Sequence, residues 1–279
     1  MKSEVYIGCH LSVTDGYEAM GKTMLGFGGT TFAFFMRNPR GGKSKDLPPE
    51  DAAALMALLR REGFGPLVAH GSYTMNLCAS KLETRLNGLD MLEKDLLRME
   101  QLPGQYYNFH PGAHTGQGME TGIQLIADAL NRFLRPEMQT VVLLETTAGK
   151  GTQVGGRFEE LREIIDRVEL KDKVGVCFDT CHVWDAGYDL INDLDSVLTE
   201  FDRIIGLDRL YAVHFNDSKN VCGSHKDRHE KLGQGQLGVE AMRRIAMHPA
   251  LASRPFILET PSDDAGYIKE IHTVLSWFA

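Results

Sequence analysis

The chain has 279 residues, 43% of them hydrophobic and 24% charged, with a net charge of −8 and no apolar run long enough to span a bilayer. That balance excludes a membrane-embedded protein and one whose whole surface grips nucleic acid, but it leaves room for a local basic patch or bound cations. Five scattered cysteines (9, 78, 177, 181 and 222) do not form a disulfide framework, and the opening "MKSEVYIGCH" lacks an apolar leader core, so reduced thiols in the cytoplasm are expected.

In chain order, strands are predicted at "VYIGC" (5–9) and "TFAFFM" (31–36), a helix at 50–61, and a strand at "LVAH" (67–70). A helix follows over 80–99, with Leu82, Leu86, Leu89, Leu96 and Met99 on one stripe and a Ser80/Glu83 capping box. Next come a strand at "YYNFH" (106–110), a helix at 121–134, a strand at "TVVLLE" (140–145), and a helix at 158–168 built on Leu161, Ile164, Ile165 and Val168. The strand "VGVCFD" (174–179) precedes a helix over 190–205, and "LYAVHF" (210–215) and "FILE" (256–259) precede a last helix through Ile268, Ile271 and Val274. The strands are almost continuously apolar, as strands covered on both faces are. Eight strand–helix units of about 35 residues match a (β/α)8 barrel, and no Pro/Gly/Ser-rich linker divides the chain. The expectation is one TIM-barrel domain over 1–279.

Six consecutive strands end, or nearly end, in a good metal ligand: His70, His110, Glu145, Asp179, His214 and Glu259. In a barrel these ends form one mouth, where clustered carboxylates need compensation by cations or protons. His182 follows Asp179 by three residues, and the loop after 215 adds Asp227 and His229, whose spacing of two places them on one side of an extended segment. Five His, two Asp and two Glu are too many for one tetrahedral site and suit two or three ions sharing a carboxylate. Imidazole with carboxylate points to Zn²⁺, with Mn²⁺ or Fe²⁺ as substitutes. His10 could line the mouth or stand behind the ligands. Cys177 is expected deeper in the barrel on the face of Asp179, and Cys181 is expected to face away.

Two glycine-rich stretches resemble phosphate loops without their context. "GQGQLG" (233–238) has no strand leading into it, and "AGKGT" (148–152) lacks the first glycine of a P-loop.

"CFDTCH" (177–182), "HFNDSKNVCGSHKDRH" (214–229), "LETTAGKGT" (144–152), "HPGAH" (110–114) and "HGSYTMNL" (70–77) resemble, in order and across the chain, the endonuclease IV family of apurinic/apyrimidinic endonucleases. The resemblance implies a TIM barrel with a trinuclear zinc centre at its C-terminal rim. The implied reaction nicks duplex DNA 5′ to abasic sites, leaving a 3′-hydroxyl and a 5′-deoxyribose phosphate. It implies that His70, His110 and Glu145 hold one zinc, and that Glu145 bridges to a second held by Asp179, His214 and Glu259. His182, Asp227 and His229 would hold the third. Tyr73 would face the DNA, and Arg40 would enter the duplex where the base is missing.

The chemistry is metal-activated hydroxide attacking a phosphodiester, with Glu145 and Glu259 as the catalytic carboxylates. Arg37, Arg40, Lys43 and Lys45, with Lys219, Lys226 and Arg228, are expected to form a backbone-gripping rim. The alternative is a sugar isomerase or epimerase on the same barrel with one or two divalent metals, which would leave the Asp227/His229 pair and the basic loop unexplained. A monomer without an obligate protein partner is expected.

Overall fold

The expected strands form a closed parallel barrel, seen in a computed structural model that describes residues 5–39 and 48–279. In chain order they are β1 (Tyr6–Leu11), β2 (Ala33–Phe35), β3 (Val68–His70), β4 (Tyr106–Phe109), β5 (Val141–Glu145), β6 (Val174–Asp179) and β7 (Leu210–His214). Two short strands, β8 (Asp217–Ser218) and β9 (His229–Glu230), pair antiparallel outside the barrel before β10 (Pro255–Leu258) closes it between β7 and β1. The helices are α1 (Tyr17–Phe27), α2 (Pro49–Glu62), α3 (Leu82–Met99), α4 (Met119–Phe133), α5 (Phe158–Arg167), α6 (Thr180–Ala186), α7 (Leu194–Ile204), α8 (Gly238–Met247) and α9 (Asp264–Ser276). None of the described helices is long and apolar enough to cross a membrane.

Alternation along the strands explains how the barrel holds its mouth. Ala33, Val68, Leu143, Cys177, Ala212 and Ile257 form a separate, fully buried cluster. Val68, Leu143, Cys177, Ala212 and Ile257 each stand two residues before a predicted ligand, at 70, 145, 179, 214 and 259. With a period of two, floor and ligand share the inward face, so an apolar plug supports the polar layer above it. The outward residues, among them Phe34, Ala69, Tyr107, Val142, Leu144, Val176, Phe178, Val213 and Phe256, join the larger core beneath the helices.

Several local expectations differ from the structure. The Ser80/Glu83 capping box does not form: α3 starts at Leu82 without a side-chain cap, and Ser80 instead pairs with Thr115, whose Oγ1 accepts from the Ser80 N–H at 2.7 Å. Leu82 and Leu86 are exposed, because the buried face of α3 is centred on Gly88, Leu92, Asp95 and Met99, and the helical rotation carries them to one side of it. α7 starts at Leu194 rather than 190, because Asp189 accepts from the N–H groups of Ile191 and Asn192 and turns the chain first. No helix was expected at α1, α6 or α8, although Ala241, Met242 and Ile245 stand at helical spacing in α8. In α1, Gly21 lies where a Cβ would come within 2.9 Å of Leu55, so a residue that weakens helix propensity is what lets α1 and α2 approach.

Candidate metal centre

The nine predicted ligands converge on the C-terminal mouth. His70, Glu145, Asp179, His182 and His214 are buried, while His110, Asp227, His229 and Glu259 are partly exposed. Glu145 sits at the middle. Its Oε2 is 3.1 Å from His70 Nε2, and its Oε1 is 3.3 Å from His110 Nε2 and 3.2 Å from His214 Nδ1. On the far side His214 Nδ1 is 3.1 Å from Glu259 Oε2 and 3.9 Å from Asp179 Oδ2. His182 Nε2 is 3.0 Å from Asp227 Oδ1, which is 3.7 Å from His229 Nε2. Within each of three groups the donor atoms lie within 4.8 Å of one another: His70–His110–Glu145, Glu145–Asp179–His214–Glu259, and His182–Asp227–His229.

In three histidines one ring nitrogen is held as metal-binding histidines hold theirs, although His182 Nδ1 also lies 3.3 Å from Glu145 Oε1. His70 Nδ1 lies 2.7 Å from the Gly71 carbonyl, His182 Nδ1 2.8 Å from that of Thr146, and His229 Nδ1 3.1 Å from that of Glu259. Each fixes the tautomer so that the second nitrogen's lone pair faces the centre. His229 Nε2 and Glu259 Oε1 are buried with no hydrogen-bond partner. Orphaned acceptors are costly in a protein interior, and a divalent cation would satisfy both. The residues therefore fit a metal cluster.

Charge in the mouth is mutually tuned. Burial alone would push Glu145 up, but His214 and His110 hold it well below the usual carboxylate range. Asp227 is held at about 2, because His182 outweighs the effect of burial. Against the lowering effect of burial, the surrounding carboxylates raise His110 and His182, and His214 is raised by Cys177 first and then by Glu259 and Glu145.

Several residues of the site were not expected. Asn108, two positions before His110, donates from Nδ2 to Glu145 Oε2, and a polar residue inside "YYNFH" was the signal that could have found it. Asn216 donates to Asp179 Oδ2 at 2.8 Å and accepts the Glu259 N–H at 2.8 Å, tying β6 to β10. Thr146 Oγ1 accepts from the Asp179 N–H at 2.9 Å. His10, expected to line the mouth or stand behind the ligands, stands at the rim, ring against Phe35 at 4.3 Å, with Nε2 3.8 Å from Glu259 Oε1. Burial lowers it to about 3.

Cys177 is buried as expected, and its thiol, raised by burial to about 11, faces His214. Cys181 is a correction: rather than facing away, its sulfur lies within 4.8 Å of donor atoms of Asp179 and His229. Burial raises its pKa, so it stays a neutral thiol and a poor ligand beside carboxylate and imidazole.

Arg37 is a second correction. Expected at a DNA-facing rim, it is 6% exposed and donates from Nε and Nη2 to Asp95 on α3, the shorter contact being 2.6 Å. Asp95 also accepts from Tyr107 Oη at 2.9 Å. Arg40, Lys43 and Lys45 lie outside the described residues. Tyr73 is 57% exposed, and its ring lies 5.0 Å from Phe35, 5.7 Å from His70 and 5.8 Å from His110, at the lip of the mouth. The glycines of "GQGQLG" hold an internal carboxylate: the N–H groups of Gly235, Leu237 and Gly238 donate to Asp217 at 2.9–3.2 Å. A Cβ on Gly235 would come within 2.3 Å of the Ser218 carbonyl.

A closed barrel whose mouth is lined by imidazole and carboxylate defines a TIM-barrel protein of the xylose isomerase-like class, and the family model described as "Xylose isomerase-like TIM barrel" matches residues 24–277. The chain is 55% identical over 266 residues to a protein of Akkermansia muciniphila named "Probable endonuclease 4", covering 95% of this chain and 96% of that one. A protein of the same name from Clostridium beijerinckii is 51% identical over 270 residues, 97% and 98% of the two chains. The crystal structure of endonuclease IV from Thermus thermophilus superposes with a TM-score of 0.86 at 35% identity, covering 98% of each chain. The chain belongs to the endonuclease IV family. A D-tagatose 3-epimerase-like protein, with a TM-score of 0.68 at 13% identity, shares the fold alone.

Proposed function

We propose that this chain is a DNA-repair nuclease that hydrolyses the phosphodiester 5′ to abasic sites in duplex DNA, leaving a 3′-hydroxyl and a 5′-deoxyribose phosphate. One domain over 1–279, acting as a cytoplasmic monomer without an obligate protein partner, carries the activity. The observation that supports it most is the central position of Glu145, whose carboxylate lies within 3.3 Å of His70 and His110 of one donor group and of His214 of another. His70, His110 and Glu145 would hold one Zn²⁺; Glu145, Asp179, His214 and Glu259 a second; and His182, Asp227 and His229 a third, with Mn²⁺ or Fe²⁺ able to substitute. Bound ions would supply charge neutralisation on the phosphodiester and a nucleophile at neutral pH.

The chain's own residues orient the substrate. Tyr73 offers an exposed aromatic face beside the cluster, suited to stacking on a sugar or base. Arg40 and Lys43, in the basic stretch, and the exposed Lys226 and Arg228, beside Asp227, would meet the DNA backbone. Asn108 and Asn216 keep the carboxylates of Glu145 and Asp179 aimed at the centre.

Elemental analysis combined with relaxation of a plasmid carrying abasic sites tests this reading. Close to three divalent ions per chain and lesion-dependent relaxation support it. One or two ions with no relaxation would favour a sugar isomerase on the same barrel.

A further inference from the structure

The third donor group differs from the others in its origin. His182 comes from α6, but Asp227 and His229 come from the long loop between β7 and α8, outside the barrel strands. Asp227 and, two residues earlier, His225 have left-handed backbones (φ 58° and 53°), a conformation side chains other than glycine's disfavour and surrounding contacts must enforce.

Apart from the Ala148 carbonyl, 2.7 Å from His225 Nδ1, those contacts come from α6. One turn beyond His182, the fully buried Asp185 accepts from Ser218 Oγ at 2.6 Å on Oδ1. On Oδ2 it accepts from Asn220 Nδ2 at 3.2 Å and from the N–H of Asp227 itself at 2.9 Å. Its carbonyl accepts the His225 N–H at 2.9 Å, while the Trp184 carbonyl accepts that of Gly223 at 3.1 Å and the Trp184 indole donates to the Asn220 carbonyl at 2.8 Å. Asp185 thus grips the start and the end of the loop at once, from the helix that carries the first donor of the group.

We propose that Asp185 is a positioning residue that sets Asp227 and His229 against His182, so that this third group, and not the other two, depends on it to close on a metal ion. The inference rests on the metal reading above. Asp185 lies outside the three donor groups, and its carboxylate meets the N–H of Asp227 rather than its donor oxygen. Replacing the carboxylate by an amide removes its charge; the new Nδ2 can be received by the Ser218 hydroxyl, and the neutral carbonyl left facing the Asp227 N–H holds it less tightly, which loosens that end of the loop. Losing such support typically weakens metal affinity about 10–100-fold.

The test is Zn²⁺ titration of chelated wild-type chain and D185N against a competing chelator, with thermal denaturation in excess zinc as the folding check. The expected result is three ions in wild type, and in D185N two ions of unchanged affinity and one weakened about 10–100-fold. A folded D185N that binds all three ions within about twofold of wild type overturns the proposal, as does equal weakening at every ion. Should D185N not fold, S218A, which removes the Oδ1 partner together with the acceptor of the Asn220 N–H, decides the matter: selective weakening of one ion supports the proposal, and unchanged binding of all three overturns it. A wild-type chain that binds no third ion sinks the three-ion reading itself, and this inference with it.

Discussion

Arg37 offers a sharp contrast between two physical roles. In the structure its guanidinium and the carboxylate of Asp95 form a buried pair whose acceptor also takes the Tyr107 hydroxyl. Arg37→Met removes the cation and leaves Asp95 buried without its main partner. Breaking such a pair from one side costs about 3–5 kcal/mol. Unfolding entropy of about 2.1 cal/mol/K per residue, over 279 residues, converts that to a fall in Tm of about 5–9 °C. A surface arginine gripping a DNA phosphate would behave differently. Its loss would leave Tm almost unchanged and reduce the slope of log binding constant against log salt by about 1. Thermal denaturation of the zinc-loaded chain, together with duplex binding across a salt series, separates the two. The buried pair predicts the fall in Tm with the salt slope preserved. An unaltered Tm with a shallower slope would refute the structural role. The double variant R37M/D95L removes the stranded carboxylate and should recover most of the loss, short of the hydrogen bond Tyr107 forfeits, worth about 1 kcal/mol.

In the metal-free chain His110, His182 and His214 are raised above the ordinary imidazole value of 6.5. A raised folded pKa contributes stability that is complete below 6.5 and is lost as pH climbs through the folded value, so the chelated chain should gain stability as pH falls through the raised values towards 6.5. Zinc loading near pH 7 must then displace protons, which calorimetry in buffers of differing ionisation enthalpy will register; loading without proton release would contradict the assignment. Asp227 has the opposite sign: held at about 2 against an ordinary 3.8, it contributes stability above pH 3.8 that disappears as pH falls towards 2, to be read as a drop in the chelated chain's denaturant midpoint over that interval. Glu145→Gln removes the shared charge from two donor groups and should lower zinc content below two per chain by elemental analysis; a full complement would refute the bridging role. Tyr73→Ala should change stability by less than about 0.5 kcal/mol, as exposed substitutions do. It should weaken binding to an abasic duplex by about 1–3 kcal/mol, roughly 5–150-fold, through lost stacking, and unchanged affinity would remove Tyr73 from the interface.

The site was readable from the sequence because strand geometry is rigid. An apolar run ending in a polar residue states both where the strand stops and which face its last side chain takes, and Val68 before His70 or Ile257 before Glu259 shows floor and donor in register. The same rule would have reached Asn108, on the face of His110, had the break in the apolar run been weighed. Arg37 could not be read this way. Whether a guanidinium in a basic run turns outward or inward depends on Asp95, 58 residues away and itself invisible as a buried acid within an amphipathic helix. Asp185 was hidden for a related reason, since its partners at 218, 220 and 227 come from a loop with no period of its own. The missing cap of α3 and the late start of α7 show local turn chemistry, at Thr115 and Asp189, overriding pattern.

The most direct test of the central claim is the position of the cut. The zinc-loaded chain is incubated with an end-labelled duplex containing a single abasic analogue, and the product is sized and tested for extension by a polymerase. The account predicts one nick immediately 5′ to the lesion with an extendable 3′-hydroxyl, abolished by Glu259→Gln. An uncut duplex with all three metal sites filled, or a nick on the 3′ side, would contradict it.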